Sequence, residues 1–205
     1  MAKTGPTRRE RQKKRDQKDI LDAALRLFTE KGFYNVSMHE IAAASEFGVG
    51  TLYNFFESKE ALFDELIKDG SERIISEFSE ILDRPFNAAD RLSAFISQQP
   101  QLQHRYGELI KLHLSVFGIK GSRLTRVKDE NLVHREINPK LVSLIDSGIR
   151  EGLFRPVDPE ITARALGAAI EALIFETAVE RDNREVTGMF RALEQLFLDG
   201  LLKPE

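Results

Sequence analysis

At 205 residues, 41% hydrophobic and 31% charged, the chain has the balance of an ordinary globular protein, with room for one substantial core or two small ones. It has no cysteine, which excludes disulfides, a thiol nucleophile and thiolate metal sites, and no apolar run approaches the roughly 20 residues of a membrane span or forms a signal core behind the N-terminal charges, so a cytoplasmic location is expected. The net charge of −3 hides an asymmetry: residues 1–19 carry eight Lys and Arg against three Asp and Glu, +5, leaving −8 on the remainder, as in a protein that offers one end to a polyanion.

Residues 1–15 combine Gly5, Pro6 and dense charge with almost no apolar side chain, and read as a basic arm that is flexible until bound. A first helix follows through Ile20, Leu21, Ala24, Leu27 and Phe28, stopped by Gly32. Ser37 and Glu40 form a capping box ahead of Ile41 and three alanines, which predicts a short second helix. After a break at Ser45–Phe47, Gly48 opens a third short helix with Val49, Leu52 and Phe56 on one side. Ser58 caps a fourth, running from Lys59 to Leu82 and ending before Pro85; it would be roughly 36 Å long, enough to link a head to a body.

Asn87 with Asp90 marks the next start, and that helix ends near Pro100. Another runs from Leu102 to Phe117 and closes at Gly118–Ser122. The segment from Leu124 through Val127, Leu132 and Leu144 to Gly152 contains Pro139, which either kinks it or restarts it at Asn138. Asp158-Pro159-Glu160 is a strong start signal for an alanine-rich helix that is apolar around much of its circumference. A last helix carries Val186, Phe190, Leu193, Phe197 and Leu201. These two terminal helices either close the body's own core or form half of an intersubunit four-helix bundle; the second is expected, because a single chain would struggle to cover both. The predicted fold class is all-α, about nine helices: residues 1–15 an arm, 16–60 a compact head, 61–205 a larger helical body.

The second helix, its turn and the third helix have the dimensions of a helix-turn-helix, whose second member enters the major groove. Gly48 and Gly50 carry no Cβ to hold the backbone off a partner, while Val49, Thr51, Tyr53 and Asn54 can face outward. Valine and threonine methyls can meet thymine methyls, and Tyr53 and Lys59 offer groups for phosphates. Lys59 is either a solvated charge at a helix start or, because the dipole disfavours it there, a group placed for an outside anion. Phe56 reads as part of a small aromatic core.

The stretch Ile20 to Leu66, above all Ile41-Ala42 and Gly50-Thr51-Leu52-Tyr53-Asn54-Phe55-Phe56-Glu57-Ser58-Lys59-Glu60-Ala61-Leu62, resembles the DNA-binding domain of TetR-family transcriptional regulators. That resemblance implies a homodimer, here through the two C-terminal helices, that binds palindromic operator DNA, most often as a repressor, and is released when the divergent body takes up a small-molecule effector. By position, Ser37 would also touch phosphate, Met38 or His39 could approach the groove, and Thr51, Tyr53 and Lys59 match backbone-contact positions. Two departures stand out. Glu46-Phe47-Gly48 replaces the usual Gly-Val-Ser turn, removing the serine cap of the recognition helix, and Phe55 stands where a tyrosine or histidine would donate to phosphate. Candidate effector contacts are Phe78, Phe95, Tyr106, Leu109, His113, Phe117, Glu171 and Phe175, apolar or polar interruptions on the body helices.

No enzyme motif is complete: Gly48-Val49-Gly50 begins like a dinucleotide fingerprint, but Tyr53 occupies the third glycine's place and no strand precedes it. No nucleophile elbow, phosphate loop or zinc-helix histidine pair occurs, so no catalytic residue, cofactor or metal is expected beyond the effector. The alternative is a peripheral membrane or adaptor protein using the basic arm and amphipathic helices, which accounts for the charge and leaves the third helix unexplained.

Overall fold

The computed structural model describes residues 7–124, 132–177 and 183–203; of 117–124 and 183 only the backbone is described. Nine α-helices account for most of these residues, and the nearest thing to β-structure among them is one antiparallel bridge, Phe154 to Leu202.

Helix α1 (Arg8–Lys31) starts well before the expected end of a flexible arm. A capping box explains why: Glu10 N–H donates to Thr7 Oγ1 (3.3 Å), and Thr7 N–H donates to Glu10 Oε2 (2.7 Å). The basic segment 8–15 is therefore helical, and the only part of the proposed arm outside the described residues is 1–6. Gly32, at φ 83°, ends α1 and donates to Phe28 O. A 3-10 turn (Phe33–Asn35) leads to α2 (Met38–Ala44), capped reciprocally by Ser37 and Glu40, and α3 (Val49–Phe55) follows.

Helix α4 (Lys59–Leu82) has the predicted ends, with Ala61 N–H donating to Ser58 Oγ at 3.1 Å. Helix α5 (Ala88–Ser97) is capped by Asn87, which accepts from Asp90 N–H. Helix α6 (Gln99–Leu124) departs from expectation at both ends: Pro100 lies inside its first turn, where a missing N–H costs nothing, and the backbone stays helical through Gly118–Ser122. Helix α7 (Leu132–Arg150) runs unbroken across Pro139, and the expected contribution of Val127 falls outside the described residues. Helix α8 (Pro159–Thr177) begins where Asp158 Oδ1 accepts from Glu160 and Ile161 N–H at 2.9 and 3.0 Å; α9 (Asn183–Leu201) is the last.

Contacts divide the chain into two units. One comprises the residues up to Asp69 with Lys111–Val116; the other comprises Gly70–Ile110 and the residues from Phe117 onward. The division thus falls inside α4, nine residues beyond the expected end of the head at residue 60. In the first unit, Ile20, Leu21, Ala24, Phe28, Ile41, Leu52 and Leu62 are buried around a ring cluster in which Phe33 lies 5.2 Å from Phe28 and 5.0 Å from Phe63. In the second, α5 packs on α7 and α9, and α8 on both α7 and α9. Gly148, on α7, makes room for the fully buried Phe154 ring, which a Cβ there would approach to 2.3 Å, and for Ala88 on α5, which it would approach to 3.0 Å.

Candidate nucleic-acid interface

Helix α3 separates its residues cleanly by face. Leu52 and, just past the helix, Phe56 are buried at 0% and 5% exposure, whereas Gly48, Gly50, Thr51, Tyr53 and Asn54 are exposed and Val49 half-buried. Phe56 is thus the core residue expected of it, and Tyr53, 49% exposed, presents its ring to solvent. A Cβ built on Gly50 would meet nothing within 4 Å, so the fold itself does not require glycine there. Gly48 serves as N-cap without any side-chain hydrogen bond, as the missing serine implies. Glu46, in the turn, sits at φ 60°, a left-handed conformation that costs a non-glycine residue roughly 1–2 kcal/mol.

Around the start of α2, Ser37 is exposed and engaged in the capping box. Lys31 Nζ donates to Glu40 Oε1 at 2.7 Å, and that contact, together with the Ser37 N–H and hydroxyl, pulls the Glu40 carboxyl down to about 2. His39 is exposed, but Met38 is only 6% exposed and packs inward, so of the two candidates for the groove the structure leaves His39. Tyr34, which sequence reasoning passed over, is the most exposed large aromatic among the described residues at 75%, its ring edge-on to Phe33 at 5.3 Å. The signal was an aromatic doublet directly after the glycine stop.

Lys59 is placed differently from the expectation of a free phosphate-contacting ammonium. It is half-buried, its Nζ donates to Phe33 O and Val36 O at 2.9 Å each, and it lies 4.6 Å from the centroid of the Phe33 ring. Two of its three protons are therefore committed to carbonyls in the α1–α2 connection, which supply the negative partner that its position at a helix start called for. Next to α3 runs an open groove of about 490 Å³ lined by Gln17, Tyr53, Asn54, Phe55, Glu57 and Glu65, among others. Lys13 Nζ stands 6.0 Å from the Phe55 ring.

Three of the candidate effector residues, Phe78, Phe95 and Leu109, are buried. Phe78 and Phe95 are buried and packed on each other, ring centroids 4.9 Å apart, as core. Leu109 is buried against Gly70, where a Cβ would lie 2.0 Å from its Cδ2. Tyr106 donates to Glu77 Oε1 at 2.6 Å while Arg105 pairs with the other oxygen; desolvation and that carboxylate raise the phenol's pKa. His113 belongs to the first unit, and burial lowers its pKa. Glu171 and Phe175 are half-buried on α8, and the Phe117 side chain lies outside the described residues. Among the described residues no three His, Asp or Glu side chains cluster as metal ligands, and no helix is long and apolar enough to cross a membrane.

Residues 20–66 match the family model described as bacterial regulatory proteins, tetR family. The HTH-type transcriptional regulator YhgD of Bacillus subtilis is 29% identical over 164 residues, covering 78% of this chain and 83% of that one. The HTH-type transcriptional repressor KstR2 of Mycobacterium tuberculosis is 26% identical over 140 residues, 67% of this chain and 68% of that one. Among solved structures, a transcriptional regulator from Saccharomonospora viridis in complex with choline superposes with a TM-score of 0.75 at 21% identity, covering 93% of this chain and all of that one.

Proposed function

Because this chain belongs to the TetR family and is a transcriptional regulator, we propose that it is a homodimeric repressor that holds a palindromic operator through α3 and releases it when a small molecule occupies the body. The observation that carries this is Gly50. Glycine inside a helix costs up to about 1 kcal/mol relative to alanine, and here nothing within 4 Å on the protein side would object to a Cβ. Gly107, Gly167, Gly188 and Gly200 are equally unhindered in their helices; what singles out Gly50 is its place on the exposed side of α3 between Val49 and Thr51, where a base-pair edge at the floor of a major groove can come close.

Thr51 and Val49 flank it with methyl groups able to meet thymine, Asn54 offers an amide, and Gly48 leaves the leading end of α3 unencumbered. Tyr53, Tyr34, Ser37 and His39 supply exposed polar groups for phosphate. The twofold partner is expected on α8 and α9, where Ile161 and Leu196 remain 59% and 68% exposed beside exposed Ala165, Ala168 and Ala172. Pairing there sets two copies of α3 about one turn of DNA apart, roughly 34–36 Å. An effector that prefers a different separation lowers operator affinity through α4, which is continuous from the head at Lys59 to the body at Leu82. The choline in the Saccharomonospora viridis regulator shows that a protein of this fold accommodates a small molecule.

Genomic fragments captured by the purified protein provide the operator, and Gly50→Ala then tests the carrying observation. The substitution is expected to leave the thermal midpoint unchanged or slightly raised while weakening operator binding at least tenfold. Unchanged affinity would remove the reason for assigning α3 to the groove.

A further inference from the structure

The first three turns of α1 have no apolar face. The earliest buried residue of the helix is Ile20, and every described residue from Thr7 to Arg15 is exposed, so packing contributes little to this segment's helicity. Electrostatics oppose it. Arg8, Arg11, Arg15 and Lys18 follow one another at steps of three, four and three residues, which sets four like charges along one side of the helix over roughly 15 Å. Arg8 and Arg11 lie at the positive end of the dipole, and none of the four forms an ion pair with a described residue. What holds the helix is local: the Thr7–Glu10 capping box, which also lowers the Glu10 pKa, and a 2.7 Å bond from Gln12 Nε2 to Asp16 Oδ1. A helix kept in shape against its own charge is completed by a polyanion.

Its position says which one. Lys13 faces the ring of Phe55, the last residue of α3, and Gln17 Nε2 reaches Glu65 on α4 at 3.3 Å. Lys13, and with it the cationic start of α1, therefore stands beside the C-terminal end of the helix assigned to the groove. We infer that Arg8–Lys18 is a stiff cationic spar that lies along the phosphates of the duplex just outside the bases read by α3, lengthening the contacted DNA on both flanks of the operator. This rests on the assignment of α3 to DNA. It differs from a loose basic tail, because its charges have a fixed spacing and its reach is set by a rod.

The test uses the full chain and a duplex enriched from a random-sequence pool, trimmed to the symmetric core or extended by about ten base pairs on each side. For the parent protein the extended duplex should bind at least tenfold tighter than the trimmed one. In the variant Arg8→Gln/Arg11→Gln/Arg15→Gln/Lys18→Gln that advantage should vanish, and the slope of log K against log salt should fall by about 0.9 for each phosphate released. Affinity for the trimmed duplex should change little. Gln12→Pro keeps every charge and breaks the rod; it should lose most of the advantage as well. Equal binding of both duplexes by the parent, or a Gln12→Pro protein with the full advantage, overturns the spar. So does a parent whose cations instead drive binding to phosphatidylserine vesicles or salt-sensitive self-association through the acidic body. If the pool yields no preferred sequence, the failure lies with α3, and comparing parent and quadruple variant on a mixed-sequence duplex still decides the spar.

Discussion

Replacing Lys59 with methionine separates two roles that sequence alone could not distinguish. A lysine lying on phosphate would, when removed, reduce the salt slope by about 0.9 per protomer and leave the fold intact. The geometry instead makes it a clamp: two charge-assisted bonds at 2.9 Å to Phe33 O and Val36 O, and a ring contact at 4.6 Å. Such bonds are worth about 1.5–3 kcal/mol each when fully buried. Lys59 is half-buried and water replaces part of what is lost, so the pair together contributes about 2 kcal/mol. For a chain of this length that corresponds to a fall of about 4–8 °C in the thermal midpoint. Operator affinity should fall too, because the carbonyls tie the start of α4 to the turn that orients α2, but the salt slope should stay within experimental error of the parent. Thermal melting and anisotropy titrations at four salt concentrations measure both. An unchanged midpoint with a slope reduced by about one unit per protomer would refute the clamp and restore the phosphate contact.

Acid should weaken the head through Glu40. Its folded pKa, about 2, lies below its ordinary 4.5, so its contribution is complete above 4.5 and is lost as pH falls from there toward 2; urea denaturation of parent and Glu40→Gln should show curves that differ above pH 4.5 and converge below. In the body, Gly148→Ala drives a Cβ to 2.3 and 2.4 Å from carbons of the immovable Phe154 ring and should cost about 2 kcal/mol. Gly70→Ala meets only the Cδ2 end of Leu109 and should cost less than half as much; the opposite order in chemical denaturation would discredit the packing described around Phe154. Tyr53→Phe should weaken binding to operator and mixed-sequence duplex alike, whereas Thr51→Ala should change which base pair is preferred in a panel of operator variants.

Most of the head was legible because its signals are local. Ser37 and Glu40, Gly32, and Ser58 each fix a helix end through bonds within four residues, and α4 begins and ends where Ser58 and Pro85 indicated. The spar was misread for a physical reason: hydrophobic periodicity is silent where a helix packs against nothing, although Thr7 and Glu10, three residues apart, carried the same capping signature as Ser37 and Glu40. Gly118 and Gly121 looked like a stop because glycine disfavours helix, a penalty of order 1 kcal/mol that neighbouring turns can override. Lys59 announced correctly that it needed a negative partner, but carbonyls 23 and 26 residues away are a product of the fold. Packing between α4 and α5 likewise put Phe78 on Phe95, a contact that the spacing of apolar residues does not announce.

The central claim, that α3 reads base edges and is displayed twice, is met most directly by changing every base pair of a pool-enriched duplex one at a time and measuring affinity at fixed salt. Two mirror-related clusters of sensitive positions, centred about one helical turn apart and each costing about 1–3 kcal/mol per change, are predicted. Uniform affinity across all the altered duplexes would contradict it.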